Sequence, residues 1–242
     1  MKKINLNLFK ITKDEIIAIK SKNTSVKEIF LNVEYKIEDA ICDFQNKFQN
    51  LNKLEINIKN SEKSESQKTI IKIEENPNSK VKNLNIRISK KNNYKILCLS
   101  YQTLESIRFD NYAENSIMMT VLPIFNDKCD IIFKSLQAFH FYQCYAKDIN
   151  ILKNIYKNLD NMPYLIDFFI EFRLDDISSK FYKRFIEKVL SMKLIRIIYI
   201  NIGSYFERLS KTELKKIFPK INFNKFTEIN IYKRDYDNCS II

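Results

Sequence analysis

The chain predicts an α/β solenoid, a horseshoe with a parallel sheet on its concave face and helices mixed with extended segments on its convex face. Two observations carry this expectation. The spacing apolar-x-x-apolar-x-apolar returns nine times, at steps of 23 to 32 residues. Most copies are followed by apolar residues at helical spacing. A near-constant period in this range marks units too small to bury their own faces, which stack so that the core grows as a line.

The copies read Met1/Ile4/Leu6, Val26/Ile29/Leu31, Leu51/Leu54/Ile56, Val81/Leu84/Ile86, Leu104/Ile107/Phe109, Leu136/Phe139/Phe141, Leu165/Phe168/Ile170, Leu194/Ile197/Tyr199 and Phe226/Ile229/Ile231. Each opens a short alternating segment. Lys53 to Ile58 and Asn83 to Ile88 put apolar residues on one face and polar ones on the other, the period of a half-buried strand. Burying each apolar side chain contributes roughly 1.5–3 kcal/mol before entropy, so three positions per copy make a workable stack. Helical spacing follows at Ile37/Ile41/Phe44/Phe48, Ile149/Leu152/Ile155/Leu159 and Phe181/Phe185/Val189/Leu190. Ser210 and Glu213 have capping-box spacing at the head of Lys211 to Phe218, and Pro219 closes that helix. Two copies differ, because Thr69 to Ile73 and Tyr94 to Leu99 read as extended. One solenoid domain is expected over 1–234, followed by a short flexible tail at 235–242. Met1 already belongs to the first strand, so no capping unit is expected before it.

The segment Leu136-x-x-Phe139-x-Phe141-x-x-Cys144 has the form L-x-x-L-x-L-x-x-(N/C). In this the chain resembles the leucine-rich repeat family, closest in length to its long cytoplasmic strand–helix subtype. The resemblance implies an irregular horseshoe. It places Cys144 where the family uses Asn or Cys to bond the backbone as the chain leaves the strand. Other copies depart at this ninth position, with Phe9, Glu34, Lys59 and Ser89 among them, and Ile, Phe and Val replace much of the Leu. The alternative is an ordinary α/β domain with a partly parallel sheet.

Composition narrows the function. The formal charge of +12 invites nucleic acid or an anionic membrane as partner. Its carrier is mostly dispersed Lys in a chain crowded with Asn and Ile, the signature of a nucleotide-composition bias. Five cysteines without a C-x-x-C pair are neither a disulfide framework nor a zinc spacing, and free thiols imply a reducing, cytoplasmic setting. The single glycine, Gly203, excludes glycine-rich phosphate loops, and one histidine cannot build a multi-histidine metal site. His140 and Cys144 would face opposite ways on the template, which argues against a dyad. No enzyme, cofactor or metal is expected. Cys239-Ser240-Ile241-Ile242 has the C-a-a-X form, making Cys239 a candidate for prenylation and thereby for reversible peripheral membrane association.

The expected function is therefore non-enzymatic: a scaffold that binds another protein on its concave face. Basic electrostatic binding of nucleic acid or anionic membrane is the alternative. The candidate contact residues gather in the second half of the chain: His140, Tyr142, Phe169, Glu171, Arg173, Arg196, Ile198, Ile200 and Tyr232. Exposed aromatic and aliphatic side chains beside Arg have the composition of an interaction hot spot. Against this, Phe169, Ile198 and Ile200 could be buried, or the register could slip by one, since Ile197-Ile198-Tyr199-Ile200 is apolar on both faces.

Overall fold

A computed structural model of the chain describes residues 2–8, 26–33, 48, 50–58, 70–75, 77–88, 95–111, 119–120, 131–143, 149–172, 178–202 and 207–233. The strands are β1 (Lys2–Leu8), β2 (Val26–Val33), β3 (Lys53–Ile58), β4 (Ile70–Glu75), β5 (Asn83–Ile88), β6 (Lys95–Leu99), β7 (Ser106–Asn111), β8 (Met119–Thr120), β9 (Ala138–Gln143), β10 (Asp167–Phe172), β11 (Ile197–Ile202), β12 (Glu207–Arg208) and β13 (Glu228–Lys233). The helices are α1 (Asn150–Asn158), α2 (Ser179–Ser191) and α3 (Lys211–Ile217).

The architecture is α/β, built on an open, mostly parallel sheet of order β1-β2-β3-β5-β7-β9-β10-β11-β13-β12. Its first nine strands run parallel in chain order, and β12 pairs antiparallel with β13 at the edge. The extended segments expected after β3 and β5 are β4 and β6. With β8 they form a separate three-stranded parallel sheet.

The apolar columns account for the register. Val26, Leu51, Val81, Leu104, Leu136, Leu165 and Ile195 are buried, as are Ile29, Leu54, Leu84, Ile107, Phe139, Phe168 and Ile198. Each member of the second set sits beside its counterpart on the next strand, so a continuous apolar column runs along one side of the sheet. Backbone polar groups at the strand starts are satisfied by a second ladder. The carbonyl of Glu105 accepts from Gln137 and Ala138 at 2.8 and 3.0 Å, Gln137 from Ile166 and Asp167 at 2.8 and 2.9 Å, and Ile166 from Arg196 and Ile197 at 2.8 and 3.0 Å. Each strand start thus hands its backbone donors to the start of the preceding strand, which leaves these amides paired.

The helices close the dry side. Phe185 of α2 meets Phe168 of β10 at 6.1 Å between ring centroids, and Tyr156 of α1 meets Phe181 of α2 at 5.6 Å. Ser178 caps α2 by accepting from the Phe181 N–H, and α3 carries the full Ser210–Glu213 capping box. Among the described residues, no helix is long and apolar enough to cross a membrane. The expected helix over Ile37 to Phe48 lies outside the described residues apart from Phe48, which is buried and not helical. The expected tail at 235–242, with Cys239, lies outside them as well.

One copy of the spacing is displaced by a residue. The buried set leading into and along β11 is Ile195/Ile198/Ile200, all at 0% exposure, rather than Leu194/Ile197/Tyr199. Pairing decides it: Ile198 sits beside Phe168 and Ile229, and Tyr199 beside Phe169 and Asn230. A phenol with a polar tip suits the wet face better than an isoleucine does.

Candidate functional site

Alternation along the strands leaves a second set of side chains on the face away from the helices. In the central column, Glu55, Asn85, Arg108, His140, Phe169, Tyr199 and Asn230 lie side by side. The next column holds Asn57, Arg87, Asp110, Tyr142, Glu171 and Asn201, with Tyr232 on β13 beyond.

Neighbouring strands lie about 4.8 Å apart, so aromatic residues in one column must stack or tilt against each other. Phe169 and Tyr199 stack at 4.4 Å with an interplanar angle of 8°. His140 tilts against Phe169 at 5.7 Å, and Tyr232 against Tyr199 at 5.4 Å. The result is a half-exposed row of four rings across β9 to β13. Polar groups steady it. His140 Nε2 lies 2.9 Å from Asp167 Oδ2, and since a carboxylate only accepts, that nitrogen carries the proton. Tyr199 Oη donates to Glu171 Oε2 and accepts from Asn201 Nδ2, both at 3.4 Å. Burial pushes the Tyr199 phenol above its usual range. The Glu171 carboxylate adds to this and the Asn201 hydrogen bond opposes it.

Beside the row, β5 and β7 carry an ion cluster built on a buried carboxylate. Asp110, 3% exposed, accepts from Arg108 Nε through both carboxylate oxygens at 3.0 Å. Arg87 Nε stands 3.6 Å from Asp110 Oδ2, too far for a hydrogen bond but close enough for charge pairing. A buried carboxylate needs such partners. A hollow of about 70 Å³ opens between this cluster and the rings, lined by Arg108, Asp110, His140, Tyr142 and Phe169.

Of the residues singled out from sequence, His140, Tyr142, Phe169, Glu171 and Tyr232 come together on this face. Ile198 and Ile200 do not: both are core residues, because the register of β11 is one residue from that expected. Arg196 stands just before β11, where its Nη1 donates to the carbonyls of Lys193 and Ile195 at 3.1 and 2.9 Å. Arg173 and Cys239 lie outside the described residues, as does Cys144. Tyr199, Asn201, Asp167 and the Arg87–Asp110–Arg108 cluster were not singled out. The cluster had a readable signal, Arg108-x-Asp110 on one face of a strand with Arg87 beside it.

Among the described residues, no group of three or more His, Cys, Asp or Glu side chains could hold a metal ion. Compared with protein-family models, curated proteins and solved structures, the chain matches none.

Proposed function

We propose that the chain is a non-enzymatic scaffold of leucine-rich-repeat-like, solenoid form, whose concave face is the helix-free side of the sheet and binds another protein. The observation that supports this most directly is the half-exposed row His140–Phe169–Tyr199–Tyr232. Rings held rigidly by strand pairing lose little entropy on contact, and Tyr and Arg are enriched among residues that dominate interface energy. Nine parallel strands in chain order, joined by the carbonyl ladder at their starts, favour the solenoid form.

The test is affinity purification from the native host with the wild-type chain and with Phe169→Glu/Tyr199→Glu, in low and raised salt. Loss of a discrete protein by the variant, with its circular dichroism unchanged, is the expected result. Equal recovery overturns the assignment of this face.

A second reading rests on a different surface. Lys153, Lys157, Lys180, Lys183, Arg184, Lys211, Lys215 and Lys216 are exposed on α1, α2 and α3, which gather part of the net positive charge on the helical side. On this reading the ligand is nucleic acid or an anionic membrane. Recovery of such a ligand, lost steeply between about 50 and 200 mM salt, would favour it.

A further inference from the structure

We infer that the partner segment bound by this face is acidic as well as aromatic, with a carboxylate seated at the Arg87–Arg108 pair and a ring or aliphatic side chain lying on Phe169 and Tyr199. This rests on the scaffold reading above and specifies its ligand.

The argument begins with charge. Two guanidinium groups share one buried carboxylate, so the cluster carries an uncompensated positive charge. Both contacts to Asp110 use Nε. Among the described residues, no other hydrogen bond or ion pair engages either guanidinium. Their side chains are 42% and 48% exposed. Asp110 thus fixes the base of the Arg108 fork, holds that of Arg87 by charge, and leaves the terminal nitrogens for an incoming group. Planar, preorganised forks of this kind match a carboxylate through paired hydrogen bonds.

Position supplies the second part. Nearby acids on this face are partly committed: Asp167 to His140, and Glu171 to Tyr199. Both lie on β10, and Glu55 on β3 stands 3.9 Å from Lys53 Nζ, so the face is positive over β5 and β7 and negative over β10. Phe169 lines the hollow next to Arg108 and also belongs to the ring row. From β7 to β10 there are two strand steps, about 10 Å. An extended peptide covers this in about three residues. A segment with Asp or Glu about three positions from an aromatic residue, in either chain direction, fits both subsites at once.

A phage-displayed random-peptide library selected on the full chain tests this. The expected sequences pair an acid with an aromatic at that separation. Fluorescence anisotropy then follows the leading selected peptide. Replacing its acid by the amide, or using Arg108→Gln/Asp110→Asn protein, should weaken binding by about tenfold or more, the size of a lost charged hydrogen-bond pair. The double substitution removes the Arg108 fork with its buried anion and leaves the net charge to Arg87, and Arg87→Gln, which removes that charge, gives the second variant should the first fail to fold. Peptides that need Phe169 but carry no acid, or that bind these variants as tightly as wild type, overturn the inference while leaving the scaffold reading standing. A library yielding no peptide sensitive to Phe169→Glu overturns both.

Discussion

Tyr199 shows how one side chain joins the core to the open face. Its ring is fixed against Phe169 and its hydroxyl against Glu171 and Asn201, and burial raises its pKa from 10.0. The folded state therefore holds this proton more tightly than the unfolded chain. The resulting stability is fully present below the unfolded value and is lost as pH rises through the folded one. Lys225 works in the opposite sense. Burial, with help from Arg196, lowers its pKa, although its Nζ donates to the carbonyls of Leu190 and Met192 at 2.8 Å. Its contribution grows as pH climbs, so the whole-protein curve mixes the two and only a single substitution separates them. Chemical denaturation of wild type and Tyr199→Phe across the alkaline range should show wild type losing stability faster above about pH 10. Parallel curves would mean that the phenol is as free to ionise folded as unfolded. None of this was legible in the sequence, where Tyr199 occupied a position assigned to the core.

At the scale of elements, what the sequence reveals depends on whether a strand has two chemically different faces. Lys53 to Ile58 and Asn83 to Ile88 alternate cleanly, and β3 and β5 pair in the register that the apolar column requires. The capping box at Ser210 and Glu213 is equally local and equally readable. Strand β11 is apolar on both faces, so its period is silent about register and pairing with β10 and β13 decides it. Neither partner is adjacent in sequence. The same ambiguity predicts a sharp contrast between neighbours. Ile198→Asp places an unpaired charge between Phe168 and Ile229 and should cost more than about 4 kcal/mol. Tyr199→Ala gives up chiefly an aromatic pair, about 0.5–1.5 kcal/mol beyond the lost area. Urea denaturation of both variants measures the order, and a more damaging Tyr199→Ala would favour the register expected from the spacing, with Tyr199 in the core.

The whole molecule inherits its behaviour from the order of its strands. Along the described parallel run, each strand pairs only with the next in the series, and the carbonyl ladder at their starts also advances one turn at a time. No described strand bridges β3 to β10. Among the described strands of this sheet, β3 and β10 are therefore joined only through β5, β7 and β9, with β4–β8 pairing in the second sheet as a further link near β5 and β7. Damage at β10 weakens its own neighbours most. Phe168 is the place to test this. It is fully buried, stacks on Phe139 of β9 at 5.9 Å and meets Phe185 of α2 at 6.1 Å. Phe168→Ala removes both contacts at a cost of about 3–5 kcal/mol. Hydrogen exchange should then quicken first in β9, β10, β11 and α2. Protection in β3 and β5, whose partners keep all their side chains, should fall much less. A uniform loss of protection along the sheet would mean that the chain unfolds as one cooperative body, and that linear strand order does not govern its energetics.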